Sequence, residues 1–61
     1  MDVNEQHLIE ILKASPKTWR QLVPSFKDRD ALNNALLQTE KRGEVEYSLS
    51  TELYYAVDDH D

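Results

Sequence analysis

Along residues 4–14 (NEQHLIEILKA) the apolar positions Leu8, Ile11 and Leu12 recur at intervals of three and four, and Ile9 widens the stripe. That period predicts a helix with one apolar face. Asn4 is expected to cap it, because its side-chain oxygen can accept an unpaired N–H of the first turn. Ser15-Pro16 ends it, since proline restricts the residue before it and lacks the donor that a helix interior needs. Residues 18–23 (TWRQLV) predict a second, short helix. Thr18 followed by Gln21 has capping-box spacing, and Trp19, Leu22 and Val23 offer one apolar face. Pro24-Ser25 breaks this helix, and Phe26 is expected to pack inward from the connection.

Residues 28–42 (DRDALNNALLQTEKR) predict the longest helix. Its main stripe is Leu32, Ala35, Leu36 and Thr39, with Ala31 on one edge and Leu37 off to the side. Asp28 or Ser25 is the expected cap. Asp28 and Asp30 near its start, and Lys41 and Arg42 near its end, match the helix dipole. Gly43 is placed to stop it in a left-handed conformation. After Gly43 the period switches to two. Val45, Tyr47 and Leu49 alternate with Glu44, Glu46 and Ser48, and Leu53, Tyr55 and Val57 alternate with Tyr54 and Ala56. Strands at 44–49 and 53–57, joined through Ser50-Thr51-Glu52, make a hairpin. A lone hairpin is marginal in water, so its apolar face must lie on the helices. The expected face is Leu53, Tyr55 and Val57, which turns Tyr54 and Ala56 outward.

The order of three helices followed by a hairpin resembles the winged helix-turn-helix family over residues 5–57. The resemblance runs through Ile11-Leu12-Lys13-Ala14-Ser15-Pro16-Lys17-Thr18-Trp19-Arg20-Gln21-Leu22, and through Leu36-Leu37-Gln38-Thr39-Glu40-Lys41-Arg42-Gly43-Glu44-Val45. In that family a first helix leads through a polar break into a short helix and then a recognition helix. The recognition helix commonly ends in a basic residue and glycine ahead of a strand. The resemblance implies a small α+β domain, a winged helix-turn-helix of three helices and a two-stranded antiparallel hairpin. Two positions depart from the family pattern. The turn after the second helix carries Pro24 where glycine is usual, and the hairpin loop has no Lys or Arg.

Length and charge sharpen this picture. The chain has 61 residues, 7 basic and 12 acidic side chains, a net charge of −5 and no cysteine. Sixty-one residues make one small domain, expected over 1–57, and a chain this short buries a modest fraction of its surface. Roughly 3–5 kcal/mol of net stability is the expectation at this size without staples. Cysteine-ligated zinc and disulfide folds are excluded. No apolar run reaches membrane-spanning length, and Met1 to Gln6 has neither the basic segment nor the apolar core of an export signal, so the cytoplasm is the expected compartment. The acidity is uneven. Asp58, Asp59 and Asp61 form an acidic tail expected to be disordered, whereas residues 3–57 hold seven basic and eight acidic side chains. The folded body is nearly neutral, so −5 does not by itself exclude a DNA-facing helix.

The third helix is the first candidate surface. As a recognition helix it would use Arg29, Asn33, Asn34 and Gln38 on base edges, because Arg matches guanine and Asn or Gln matches adenine. Lys27, Lys41 and Arg42, with Lys17 and Arg20 of the preceding segment, would hold phosphates. Any solvated helix face also shows Asn, Gln and charges, and Asp28, Asp30, Glu44 and Glu46 would repel phosphate. For a protein partner the candidates are Leu37, Tyr54 and Ala56. Trp19 reads better as core. The hairpin edge offers open backbone groups to a second copy, which allows a homodimer.

No catalytic constellation is present. His7 and His60 lie far apart in sequence, there is no cysteine nucleophile, and no spacing matches a zinc peptidase or a phosphate-binding loop. The expectation is a non-enzymatic module without metal, cofactor or small-molecule ligand. Two readings follow: a transcriptional regulator binding double-stranded DNA, or a protein-interaction module, including one whose acidic surface blocks a DNA-binding partner. The first is favoured slightly, because the resemblance runs through the recognition helix.

Overall fold

The computed structural model describes residues 3–57; the acidic tail at 58–61 lies outside them. The chain forms α1 (Val3–Ala14), α2 (Trp19–Leu22), a single 3-10 turn (Val23–Ser25), α3 (Arg29–Lys41), β1 (Val45–Ser48) and β2 (Leu53–Ala56). This is an α+β, winged-helix-like arrangement of three helices followed by an antiparallel hairpin.

Local chemistry sets most of the boundaries. Thr18 Oγ1 accepts from the Gln21 N–H at 3.2 Å, and the Gln21 side chain accepts from the Thr18 N–H at 3.0 Å, completing the capping box. Pro24 does not end the chain's helical course abruptly. It sits at the start of the 3-10 turn, where its missing N–H costs nothing. Asp28, rather than Ser25, caps α3, its carboxylate accepting from the Ala31 N–H at 2.8 Å. At the other end Gly43 adopts φ +79°, and the N–H groups of Gly43 and Glu44 bond to the carbonyls of Glu40 and Thr39. That pair of bonds is a Schellman stop. The start of α1 departs from expectation: the helix already includes Val3, so Asn4 lies within it and is not its cap.

The core gathers Leu8 and Leu12 from α1, Leu22 from α2, and Leu32, Ala35 and Leu36 from α3, with Phe26 and Val45 closing it. The α3 stripe is buried as its period predicts, including Thr39, whose hydroxyl donates to the Ala35 carbonyl at 2.7 Å and so carries no unpaired donor inward. Trp19 is half-buried at the rim of this core.

The hairpin corrects the sequence reading. Its register pairs Val45 with Ala56, Glu46 with Tyr55, Tyr47 with Tyr54 and Ser48 with Leu53. Directly opposed residues share a face, so buried Val45 brings Ala56 inward and Tyr47 brings Tyr54 with it. Tyr54 and Ala56, expected to point outward, pack against the core instead. The cause is the turn. It spans four residues, Leu49 to Glu52, one more than expected, and a one-residue slip moves every β2 side chain to the other face. Leu49, expected on the inner face, is 85% exposed in this turn.

A further strand contact has no periodic signal. Between α1 and α2 the backbone of Lys17 pairs with Tyr54, donating to its carbonyl at 3.1 Å and accepting from its N–H at 2.7 Å. This bridge ties the break between the first two helices to β2.

Candidate nucleic-acid interface

The outer face of α3 is not covered by any other element. Arg29, Asp30, Asn33, Asn34, Leu37, Glu40 and Lys41 are exposed on it, and Gln38 is half-buried. Thirteen helical residues extend about 20 Å, so Arg29 and Lys41 lie at opposite ends. Leu37, 61% exposed, is an apolar side chain within this polar surface.

Trp19 organises the N-terminal end of that face. Its indole Nε1–H donates to Asn33 Oδ1 at 3.0 Å, and the Arg29 guanidinium lies 6.0 Å from the ring centroid. This distance is at the limit of a useful cation–π contact. Trp19, Arg20, Val23, Pro24 and Arg29 border one depression of about 400 Å³. The structure thus brings Arg20 and Arg29 together beside an aromatic ring. Asn33 has one of its polar groups already engaged, which leaves Asn34 and Gln38 as the freer amides.

The other basic candidates are dispersed. Lys27 is exposed ahead of α3, and the Lys17 ammonium donates to Ser15 Oγ at 3.4 Å. Arg42 is drawn away from the interface. It forms ion pairs with Glu5 at 2.6 Å and with Glu44 at 2.9 Å. The hydrogen bonds it donates, to Glu5 first and then to Glu44, hold its guanidinium in the charged form. Glu5 is only 7% exposed. The pair joins the first turn of α1 to the C-cap of α3, two helix ends of opposite partial charge, each carrying the complementary side chain. Sequence reasoning missed Glu5. Its signal was a carboxylate on the apolar stripe, three residues before Leu8 and seven before Leu12.

The wing carries acid and aromatic groups. On its outer face the Tyr55 hydroxyl donates to Glu46 at 3.2 Å. On its inner face the rings of Tyr47 and Tyr54 lie 4.7 Å apart between centroids at 48°. Burial first, then the charges of Glu40 and Tyr47, raises the Tyr54 hydroxyl above its ordinary value of 10.0. The Tyr55 hydroxyl is raised chiefly by its bond to Glu46. A tyrosine whose pKa rises on folding adds stability that is complete below about pH 10 and is lost as pH climbs through the folded value. Tyr54→Phe is therefore expected to lose less stability than the parent between about pH 8 and about pH 11, compared by urea unfolding. Equal losses in both proteins would mean that Tyr54 does not share in the alkaline limb.

Among the described residues no group of three or more His, Cys, Asp or Glu is arranged to hold a metal ion, and no helix is long and apolar enough to cross a membrane. Comparison of the chain with protein-family models, with curated proteins and with solved structures finds no match.

Proposed function

We propose that this chain is a non-enzymatic transcriptional regulator that docks on double-stranded DNA through the outer face of α3. The observation that carries the reading is the uncovered α3 itself, with Arg29, Asn34, Gln38 and Lys41 along it and Arg20 beside its first turn. Arg20 and Lys41 suit phosphates; Arg29, Asn34 and Gln38 have the geometry for base edges. Engagement of Arg42 by two carboxylates lowers the number of available phosphate contacts, which predicts modest affinity with a shallow salt dependence. Cytoplasmic residence and pairing of two copies belong to the same reading.

The test is a titration of labelled mixed-sequence duplex at a low and a moderate salt concentration, with light scattering for mass. Binding that weakens with added salt supports the proposal. No binding at the lower concentration, where phosphate contacts are strongest, rejects it. A monomer at high protein concentration removes the pairing.

One feature favours a second reading, that of a protein-interaction module. Leu37, 61% exposed, is an apolar group that phosphate contacts do not use, and Tyr47, 39% exposed, adds aromatic surface. A partly exposed tyrosine is the kind of anchor that fits a protein partner. Failure of duplex binding, with retained fold, would transfer the α3 face to that reading.

A further inference from the structure

Between α2 and the wing lies a second groove of about 450 Å³, which shares Trp19 and Arg20 with the depression beside Arg29. Trp19, Tyr47 and Tyr54 give it aromatic walls, and Thr18, Arg20 and Glu52 give it a polar rim. Tyr47 remains 39% exposed although it packs on Tyr54, so aromatic surface stays open to the groove. Arg20 and Glu52 bring opposite charges to one cavity, yet among the described residues no ion pair joins them. Glu52 also has φ +60°, a left-handed conformation that glycine would adopt without a steric cost. The turn thus holds an acidic residue at a position where backbone geometry favours glycine, and that residue borders the groove.

The charges narrow the ligand. A simple cation would meet Arg20, a simple anion would meet Glu52, and a wholly apolar guest would strip water from both. A planar ring bearing two adjacent N–H donors on one edge and a phosphate elsewhere suits all three features. We propose that this groove binds a guanine nucleotide unit, with the base stacked on the aromatic wall, its N1–H and N2–H₂ donating to the Glu52 carboxylate, and its phosphate held by Arg20. Stacking on aromatic side chains accepts any base. The Glu52 contact supplies the choice, because adenine presents an unprotonated N1 at the equivalent position and would face the carboxylate with an acceptor. The unit is either a free nucleotide or an unpaired guanine of a strand.

The site shares Arg20 with the duplex reading, but its choice of base rests on Glu52, which the duplex reading does not use. Trp19 is the only tryptophan of the chain, so its fluorescence, supported by amide chemical shifts, reports occupancy. The probes are GMP, AMP, guanosine and a short single strand ending in guanine. Saturable binding of GMP about tenfold tighter than AMP is expected, the scale of a charge-assisted hydrogen bond. Glu52→Gln should bring GMP to the AMP level, and Arg20→Ala should bring GMP to the guanosine level. Both side chains are exposed, so unchanged thermal melts will certify the fold of the variants. Tighter binding of the strand than of GMP assigns the site to unpaired guanine; equal or weaker binding assigns it to the free nucleotide. No saturable response to GMP, equal response to AMP, or an unaltered GMP preference in Glu52→Gln overturns the proposal. Since the duplex titration and the GMP titration are separate measurements, either reading can fail while the other stands.

Discussion

Leu32→Ala is expected to abolish cooperative unfolding at room temperature. Leu32 has no exposed surface and lies at the centre of the α3 stripe, among core residues from α1 and α2. Truncating a fully buried leucine costs about 2–5 kcal/mol, through lost transfer energy and the cavity left behind. A domain of this size without a disulfide holds roughly 3–5 kcal/mol in total, so one cavity consumes most of it. The check is a thermal melt followed by circular dichroism, with near-ultraviolet signal from Trp19 as a second probe. A variant that still melts sharply, with a small fall in midpoint, would show that the small core can collapse into the vacated volume.

The paired charge reversal Arg20→Glu and Arg29→Glu is expected to weaken duplex binding by about a hundredfold or more at low salt, if each arginine is worth about 1–3 kcal/mol at the interface. Both residues border the same depression beside Trp19, at the N-terminal end of α3. Reversal replaces attraction by repulsion of phosphate, so the loss should exceed that of two alanine substitutions. It should also shrink as salt is raised, because screening removes both effects together. Fluorescence anisotropy of a labelled duplex measures it. Arg42→Ala serves as the contrasting variant: with its guanidinium held by Glu5 and Glu44, it should alter stability more than affinity. Equal losses of binding in the two proteins would mean that the DNA surface lies elsewhere.

What could be read from the sequence follows from the distance over which each feature is determined. The capping box of Thr18 and Gln21, the Asp28 cap, the stop at Gly43 and the stripe from Leu32 to Thr39 all depend on residues within one or two turns, and the sequence displays them directly. The facing of β2 does not. Leu53, Tyr54, Tyr55, Ala56 and Val57 are apolar or aromatic at every position, so alternation cannot choose a side. Only the length of the turn at Leu49–Glu52 does so, through the register it imposes. The α3 surface was legible as a polar face, but its internal bonding was not. The Trp19–Asn33 bond spans fourteen residues, and the Glu5–Arg42 ion pair joins opposite ends of the helical part. Such long-range polar pairs leave no periodic trace, and they decide which candidate side chains are free to meet a partner.

The bridge between Lys17 and Tyr54 also bears on how copies of the chain can meet. At Tyr54 it places the Pro16–Thr18 segment beside β2, on the side opposite β1. That outer segment is a poor template. Pro16 has no N–H to offer, and the Thr18 N–H is already given to Gln21. The free edge of β1 is therefore the one suited to strand addition, and it is four residues long and carries Glu46. A sheet with one usable edge can join a second copy about a twofold axis, and the union consumes both edges. Further strand addition would then have to start from the Pro16–Thr18 side, where Pro16 lacks a donor and the Thr18 N–H is engaged.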